Sequence, residues 1–421
     1  MNDHLQEIFQ TLRKNKLRTT LTGLSVSWGI FILIVLLGAG NGLKNGVMSN
    51  FGSRAVNRIN ISTGTTSMPY NGLKSGRNLQ LSIPQLEIVE NDIEESRLIS
   101  PRVNTNKPIT YGAEYNNYTI KGVVPDFFHI EGIIIHPNNG RFINQLDLKN
   151  TNKVIVLDKK IVETLFKNKS PLGEYVKISN VMFKVIGINS KTEKWEGASA
   201  YIPLTTAQGI FKPDNKFSQI TFTVDGLETK EENDKFDETL RNILGRSLSF
   251  NPEDKQALWI ENSQAEYIES QKIFGGITIF VSIIGILTLI AGIVGVSNIM
   301  LVSVKERTRE IGIRKAIGAP PASILKTIIL ESLIITAIFG YIGMILGIGL
   351  TELMNVVMEQ SGNGVQGSDG EMQMTIFKNP TINTGYAIFA TVVLIISGVI
   401  AGYLPARKAV KIKPIEAMRQ E

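Results

Sequence analysis

Four long stretches of the sequence contain no charged residue. They cover residues 19–43, 273–304, 332–351 and 379–406, and each is rich in isoleucine, leucine, valine and glycine. A transmembrane helix needs about 20 consecutive apolar residues, so each stretch is long enough to cross a bilayer. Buried helices of a soluble core are the alternative, but four runs of this length favour a membrane protein. We predict transmembrane helices at residues 19–43, 273–304, 327–351 and 379–406.

The first uncharged stretch follows a basic segment, which is also how a cleaved signal peptide begins. A signal peptide has an apolar core of about 7–15 residues, and this run is longer, so we interpret it as a retained anchor. Residues 1–18 place Leu5, Ile8, Phe9 and Leu12 at helical spacing. We predict a cytoplasmic amphipathic helix there, with an extension of the first transmembrane helix as an equal alternative.

Three short segments beside the predicted helices carry the positive charge. Residues 1–18, 305–326 and 407–421 have net charges of +2, +4 and +3, although the whole chain of 421 residues has only +6. Cytoplasmic loops of membrane proteins are enriched in lysine and arginine. The pattern therefore predicts that these segments, including both termini, are cytoplasmic. Residues 44–272 and 352–378 then lie outside the cytoplasm, and the charge gives no support to nucleic-acid binding.

The large outer segment, residues 44–272, has the pattern of a mixed α+β domain. Alternating or continuous apolar runs predict strands at residues 58–62, 118–124, 153–157 and 183–188. Helices are predicted from Ser82 to about Arg97, with Pro84 in the first turn, and at residues 228–244. The predicted fold class is a membrane protein with four transmembrane α-helices and a large extracytoplasmic α+β domain between helices 1 and 2.

The second stretch is longer than a bilayer requires. Its 32 residues would form a helix of roughly 48 Å, against about 30 Å of hydrocarbon. Residues 264–272 are also compatible with a helix, which predicts a helical stalk at the end of the outer domain. Pairs of small residues four positions apart predict close packing between the transmembrane helices. These residues are Ala291, Gly295, Gly343, Gly347, Gly398 and Gly402.

Few residues suggest catalysis or metal binding. The sequence has no cysteine, which excludes disulfides, thiolate zinc sites and a cysteine nucleophile. His129, Glu131 and His136 form a weak metal hypothesis, because their spacing matches no recognised site. Glu331 follows Lys326 by five residues, so we interpret it as a residue of the membrane interface. We expect no catalytic, cofactor or metal site in this chain.

The cytoplasmic segment at residues 305–326 has the most specific pattern. Residues 306–319 predict a charged helix that continues from the second transmembrane helix, with Glu310 and Arg314 as an i,i+4 pair. Gly318 is placed to end this helix, and Pro320 and Pro321 prevent its continuation. Apolar residues on a short exposed helix suggest docking onto a partner. The candidate docking residues are Lys305, Glu306, Arg307, Arg309, Glu310, Ile311, Gly312, Ile313, Arg314, Lys315, Ile317 and Gly318.

At these residues the chain resembles the permease subunits of MacB/FtsX-type ABC transporters. The run Val-Ser-Val-Lys-Glu-Arg-Thr-Arg-Glu-Ile-Gly-Ile-Arg-Lys-Ala-Ile-Gly-Ala at residues 302–319 matches that family's signature. Weaker similarities follow in the expected order at residues 12–22, 140–142, 165–166, 171–173, 183–187, 201–204, 403–409 and 413–419. The resemblance implies four transmembrane helices, a periplasmic domain between the first two, and a dimer bound to ATPase subunits in a bacterial inner membrane.

The sequence departs from the best-known MacB proteins, which carry a fused ATPase. It contains no G-x-x-x-x-G-K-[ST] run, the loop that binds nucleotide phosphates. We therefore expect ATP and Mg²⁺ to be bound by a separate ATPase subunit that docks on residues 302–319. The other implied partners are membrane lipids, a second permease subunit in a homodimer or heterodimer, and a candidate periplasmic adaptor with an outer-membrane channel.

Three classes of function remain open from the sequence. The first is a permease that transmits ATP-driven motion to the periplasm, for efflux of antimicrobial or peptide-like substrates or for lipoprotein release. The second is a division or signalling subunit that activates a periplasmic hydrolase. The third is an ion-driven transporter, which is disfavoured because the predicted helices contain no buried ionisable pair. The size of the outer domain favours the first class.

Overall fold

A computed structural model describes residues 16–52, 54–167, 169–190, 197–211, 214–360, 377–380 and 384–412. The chain divides into two compact units. The membrane unit comprises Met1–Ser49, Ile273–Gly364 and Thr375–Glu421, and the outer unit comprises Asn50–Lys272 with Val365–Met374. Residues 1–15 of the segment predicted as an amphipathic helix lie outside the described residues, as does the C-terminal motif at 413–419, whereas residues 16–18 belong to a helix that continues through the first uncharged stretch.

Eleven α-helices and nine strands alternate within the described residues. The helices are α1 Lys16–Phe51, α2 Ile83–Asn91, α3 Phe127–Ile130, α4 Gln145–Lys149, α5 Lys159–Leu165, α6 Leu204–Phe211, α7 Lys230–Leu248, α8 Ser263–Glu306, α9 Thr308–Ala316, α10 Pro321–Gln360 and α11 Thr384–Val410. The strands are β1 Arg58–Thr63, β2 Ser96–Tyr111, β3 Glu114–Val123, β4 Val154–Asp158, β5 Tyr175–Ile178, β6 Val181–Asn189, β7 Ser199–Pro203, β8 Gln219–Val224 and β9 Leu258–Asn262.

Four helices, α1, α8, α10 and α11, are long and apolar enough to cross a membrane within the described part of the chain. They confirm the predicted class of four transmembrane helices with a large α+β domain between the first two. Each helix also extends past its uncharged stretch, and the longest helix, α8, has 44 residues and a length of roughly 66 Å. A helix can continue into water with polar side chains, because its backbone hydrogen bonds do not depend on apolar residues. An uncharged stretch therefore marks only the part of the helix that lies in hydrocarbon.

The membrane unit is held together by apolar packing and by small residues. Ile30, Leu33 and Ile34 of α1 are completely buried against the other helices. In the contact between α10 and α11, the Ser332 hydroxyl donates a hydrogen bond to the carbonyl of Gly398 over 2.8 Å. Such polar contacts stabilise helix pairs in a bilayer, where no water competes for them.

The outer unit contains one open sheet and one closed ring of strands that share β2. The open sheet is antiparallel, in the order β9-β1-β8-β2, and the ring runs β2-β3-β7-β4-β6-β5 and returns to β2. Strand β2 pairs with β8 up to Arg102 and with β3 from Val103 onwards. Its 16 residues therefore continue from one layer into the other. The main hydrophobic core, including Ile59, Ile120 and Phe222, spans both layers, and a smaller apolar cluster forms around Phe127 and Tyr201.

The four predicted strands correspond to β1, β3, β4 and β6, and the helix predicted at residues 228–244 is α7. The helix predicted from Ser82 is present, but it ends at Asn91 and does not reach Arg97. That end of the prediction was wrong because residues from Ser96 onwards pair with β8 in the sheet. Tertiary pairing overrides the weak helical periodicity at this position.

Candidate functional site

The predicted cytoplasmic segment at residues 305–326 contains a separate short helix, α9. The helix α8 ends at Glu306, and α9 begins at Thr308 after Arg307, whose φ of −97° and ψ of 13° are not helical. Backbone hydrogen bonds still cross the junction, from Arg307 N to Ser303 O and from Ile311 N to Arg307 O. The prediction of one continuous charged helix was therefore wrong, because Arg307, in the bridge region, separates α8 from α9.

Gly318 ends α9, as the sequence predicts. Its φ is +98°, a conformation in which glycine avoids the steric cost that a side chain would impose. The N–H groups of Gly318 and Ala319 donate to the carbonyls of Lys315 and Arg314, both over 3.0 Å. This is a Schellman arrangement, which satisfies the last carbonyls of the helix. The next helix, α10, begins at Pro321, where the missing N–H has no cost.

One face of α9 packs into the membrane unit. Ile311 is 8% exposed and belongs to the same apolar core as Val304 and Ile328. The Lys315 ammonium donates hydrogen bonds to the carbonyls of Val410, over 2.5 Å, and Ile412, over 2.9 Å. Lys315 therefore caps the end of α11, where the carbonyls and the helix dipole favour a cation. Ile311 and Lys315, two of the candidate docking residues, hold α9 to its own bundle.

Four charged residues around this helix form a continuous group, which we call the coupling cluster: Arg307, Glu310, Arg314 and Glu331. The Arg307 guanidinium bonds both oxygens of Glu310, at 3.0 Å and 3.2 Å, and reaches Glu331 of α10 at 3.3 Å. Arg314 bonds Glu310 from the other side at 2.7 Å. The hydrogen bond from Arg307 lowers the pKa of Glu310, which keeps this carboxylate ionised.

Glu331, which the sequence assigns to the membrane interface, is buried within the membrane unit. Its residue surface is 3% exposed, and its carboxylate faces Arg307. An acidic residue among membrane helices is expensive unless it is paired. The pair therefore ties the start of α9 to α10.

The opposite face of α9, with the end of α8, is open to solvent within the described structure. We call it the docking face: Lys305, Glu306, Arg309, Ile313, Ile317 and Gly318. Ile313 is 44% exposed and Ile317 is 81% exposed. Arg309, Ile313 and Ile317 are four residues apart, so they lie on one side of the helix. Large apolar side chains in such positions, flanked by basic residues, fit a protein partner.

The small residues of the membrane helices differ in their surroundings. A methyl group on Gly343 would overlap the backbone carbonyl of Ser27 in α1, and one on Gly402 would overlap the Ser332 side chain. Gly347 and Gly398 also face close neighbours on other helices. Ala291 is exposed, whereas Gly292 would place a methyl group 3.3 Å from the Ser25 carbonyl. Gly292 thus lies closer to α1 than Ala291 does, while a methyl group on Gly295 would be in ordinary contact with the Ser25 side chain at 3.8 Å.

A second group of charges lies in the outer unit, and we call it the outer cluster: Arg54, Arg58, Glu131 and Glu261. Arg58 of β1 bonds Glu131 at 2.8 Å and Glu261 of β9 at 2.6 Å, and Arg54 reaches the other oxygen of Glu131 at 3.0 Å. The side chains of Arg58 and Glu131 are only 6% and 2% exposed. These pairs connect β1, β9 and the segment after α3.

The electrostatics of the outer cluster depend on Glu131. Burial alone raises the pKa of this carboxyl group, but Arg58, Arg54, Arg102 and Lys121 together lower it below its usual value. Glu131 is therefore the buried counter-ion of several cations. Arginine side chains bind both oxygens of Glu131. This pairing argues against Glu131 as a metal ligand together with His129 and His136.

Sequence reasoning did not find the outer cluster. Its partners are 73 and 203 positions apart along the chain, so no local spacing connects them. Lys121 is 1% exposed, but alternation with Tyr118 and Ile120 places it on the opposite face of the predicted strand, so the sequence did not signal its burial. A buried lysine requires a nearby negative charge.

Two known protein families match parts of this chain. Residues 19–238 match the family described as the MacB-like periplasmic core domain, and residues 282–414 match the FtsX-like permease C-terminal family. Together these matches cover both units.

Individual proteins are similar over the whole chain. A macrolide export ATP-binding/permease protein MacB from Wolinella succinogenes is 30% identical over 98% of this chain and 60% of its own length. Another from Bdellovibrio bacteriovorus is 27% identical over 100% of this chain and 62% of its own length. The chain thus spans about three fifths of these relatives. A crystal structure of the periplasmic region of MacB from Actinobacillus actinomycetemcomitans covers 54% of this chain and 97% of its own, with 20% identity and a TM-score of 0.42.

Proposed function

This chain belongs to the family of membrane proteins that combine a MacB-like periplasmic core domain with an FtsX-like permease C-terminal domain, and on that premise we propose that it is the permease component of an ABC-type exporter. The observation that carries the proposal is the docking face. It presents two exposed isoleucines and Arg309 at the short helix α9, which its own bundle holds in place, together with Lys305 at the end of α8. A helix fixed on one face and open on the other is suited to transmit movement from a partner.

The proposed partner is an ABC ATPase, which binds ATP and Mg²⁺ and hydrolyses the nucleotide. The sequence of this chain contains no G-x-x-x-x-G-K-[ST] loop. The relatives that it resembles carry the words ATP-binding in their names, so an ATPase activity belongs with this permease type. We propose that a separate polypeptide supplies it, and that two permease subunits, identical or related, work together.

The proposed task is efflux of antimicrobial or peptide-like substrates, handled at the outer unit. The continuous helix α8, from Ser263 to Glu306, supports transmission of ATP-driven motion from the cytoplasm. A periplasmic adaptor and an outer-membrane channel are further candidate partners.

The proposed location is a bacterial inner membrane with both termini in the cytoplasm. The support is the positive charge of residues 1–18, 305–326 and 407–421. Tags at residue 2, beside Gly318 and at the C-terminus should be shielded from reagents added outside, whereas a tag beside Asn150 should react. External labelling at Gly318 would show that the orientation is reversed.

Docking is tested by placing a charge on the docking face. Ile313→Asp and Ile317→Asp should each prevent co-purification of an ATP-hydrolysing subunit with the full chain solubilised from membranes. Ile134→Asp is the matched control, because Ile134 has a similar exposure of 43% but lies in the outer unit. The proposal is wrong if the wild-type chain retains no ATPase, or if both α9 variants retain as much of it as the control does.

A further inference from the structure

The membrane unit contains a cavity that the proposed function does not use. It has a volume of about 400 Å³, within the range of about 300–1,000 Å³ that small-molecule sites occupy. Three transmembrane helices, α1, α8 and α11, form its walls. The lining residues are Leu37, Asn41, Lys44, Ser282, Gly385, Tyr386 and Phe389.

The wall that α1 contributes changes from apolar to charged along the helix. Leu37, Asn41 and Lys44 are separated by four and three residues, so they lie on one face. Lys44 is the first charged residue after the 25 uncharged positions 19–43. It therefore marks the end of the apolar part of α1, and Leu37 lies roughly 10 Å deeper along the axis.

The other two walls are mostly apolar at the same end of the bundle. Tyr386 and Phe389 are three residues apart on α11, and Phe389 is 39% exposed. The Ser282 hydroxyl of α8 donates its hydrogen bond to the carbonyl of Thr278 in its own helix, over 2.7 Å. Aromatic rings and a lysine at the end of a transmembrane helix are typical of the lipid head-group region.

The charge of the lining selects the kind of ligand. Lys44 is the only charged residue among the seven that line the cavity. A cationic ligand would find no counter-ion there, whereas an anion would be attracted to the ammonium group. The apolar surfaces of Leu37 and Phe389 suit hydrocarbon. The cavity is thus amphipathic, with an anion-attracting end and an apolar end.

From this arrangement we propose that the cavity binds an anionic phospholipid. Its phosphate lies beside Lys44 and Asn41, and the parts of its acyl chains nearest the head group lie against Leu37 and Phe389. The phosphate group itself could also come from free inorganic phosphate, but the apolar walls favour the lipid. This inference needs only the membrane unit and is independent of the proposed ATPase partner.

The experiment uses the full chain in nanodiscs of phosphatidylcholine with a small fraction of spin-labelled phosphatidylglycerol. Electron paramagnetic resonance then measures the lipid whose motion the protein restricts. The wild type should restrict labelled phosphatidylglycerol more than labelled phosphatidylcholine, and unlabelled phosphatidylglycerol should release it. Lys44→Gln should weaken this selective binding about fivefold, the factor that one lysine near an anionic lipid contributes. Ser282→Phe, which fills the cavity, should remove the selective component.

Lys272→Gln is the matched control, since Lys272 is exposed directly before the uncharged part of α8 but does not line the cavity. It should bind as the wild type does, and circular dichroism should show unchanged helix content in all variants. The proposal is overturned if Lys44→Gln or Ser282→Phe keeps the wild-type selectivity, or if Lys272→Gln loses as much as Lys44→Gln. Release of the labelled lipid by inorganic phosphate would also overturn the proposal, since it would show that the site binds a free anion.

Discussion

The coupling cluster and the outer cluster are built from the same residue types but differ in burial and in sequence spacing. In the outer cluster, Arg58 and Glu131 are 6% and 2% exposed and lie 73 positions apart. In the coupling cluster, Arg314 and Glu310 are 39% and 41% exposed and lie one helical turn apart. The first pair connects distant segments inside a domain, whereas the second pair lies along the surface of one helix, α9.

This difference has a direct energetic consequence. Removing one member of a buried ion pair leaves the other charge without compensation and costs about 3–5 kcal/mol, whereas an exposed pair contributes about 0.2–1 kcal/mol. The outer cluster should therefore be required for folding of the outer unit. The exposed part of the coupling cluster is free to change partners at low cost, which suits a surface that binds and releases another subunit.

The largest effect is expected from Glu131→Gln. This change removes the buried carboxylate shared by Arg58 and Arg54 and leaves Arg58 with Glu261, whose side chain is 47% exposed, so it should destabilise the outer unit by about 3–5 kcal/mol. Hydrogen exchange of β1 and β9 in the full chain measures the loss. Glu114→Gln is the matched control, because Glu114 pairs with Lys167 at 2.6 Å while both side chains are largely exposed. Equal protection in the two variants would contradict the assigned importance of burial.

The same carboxylate predicts a pH dependence. The pKa of Glu131 is lower in the folded chain than its ordinary value of 4.5, so the unfolded state binds more protons and stability rises with pH in this interval. The contribution is complete above about pH 4.5 and is lost as the pH falls through the lower, folded pKa. The stability difference between the wild type and Glu131→Gln should therefore shrink on acidification below about pH 4.5. A difference that grows on acidification would show the opposite shift.

The two clusters also show which structural features the sequence alone can predict. Glu310 and Arg314 are one helical turn apart, so their spacing alone predicts the contact that the structure shows. The four transmembrane helices follow from long uncharged stretches, and β1, β3, β4 and β6 from short apolar runs. These signals are local, and local periodicity is what a single sequence displays.

What the sequence could not show depends on tertiary contacts. The continuation of β2 from the open sheet into the ring at Arg102 and Val103 requires pairing with β8 and β3. The burial of Ile311 depends on residues of α8 and α10 that pack around it. In the sequence, Ile311 and Ile313 have the same apolar character, so both were predicted as docking residues. Only the packing of the core distinguishes the buried Ile311 from the exposed Ile313.

Glu331→Gln tests the buried end of the coupling cluster and should have an intermediate effect. Glu331 accepts a hydrogen bond from Arg307 at 3.3 Å, and a buried charged pair of this kind contributes about 1.5–3 kcal/mol. Hydrogen exchange of α9 should accelerate, while the outer unit keeps its protection. Glu352→Gln, at an exposed position of the same helix, is the control. Unchanged exchange in α9 would mean that Glu331 does not hold this helix.

The smallest change in stability is expected from Arg314→Gln. Its bond to Glu310 is an exposed i,i+4 pair, which contributes about 0.3–0.5 kcal/mol and weakens with salt. Glu310 keeps both bonds from Arg307, so α9 should remain folded and its hydrogen exchange nearly unchanged. Arg309→Gln, on the docking face, should leave stability equally unaffected but reduce binding of the ATPase more than Arg314→Gln does. If Arg314→Gln instead destabilised α9 as strongly as Glu331→Gln, the exposed half of the coupling cluster would be structural, and its contrast with the outer cluster would disappear.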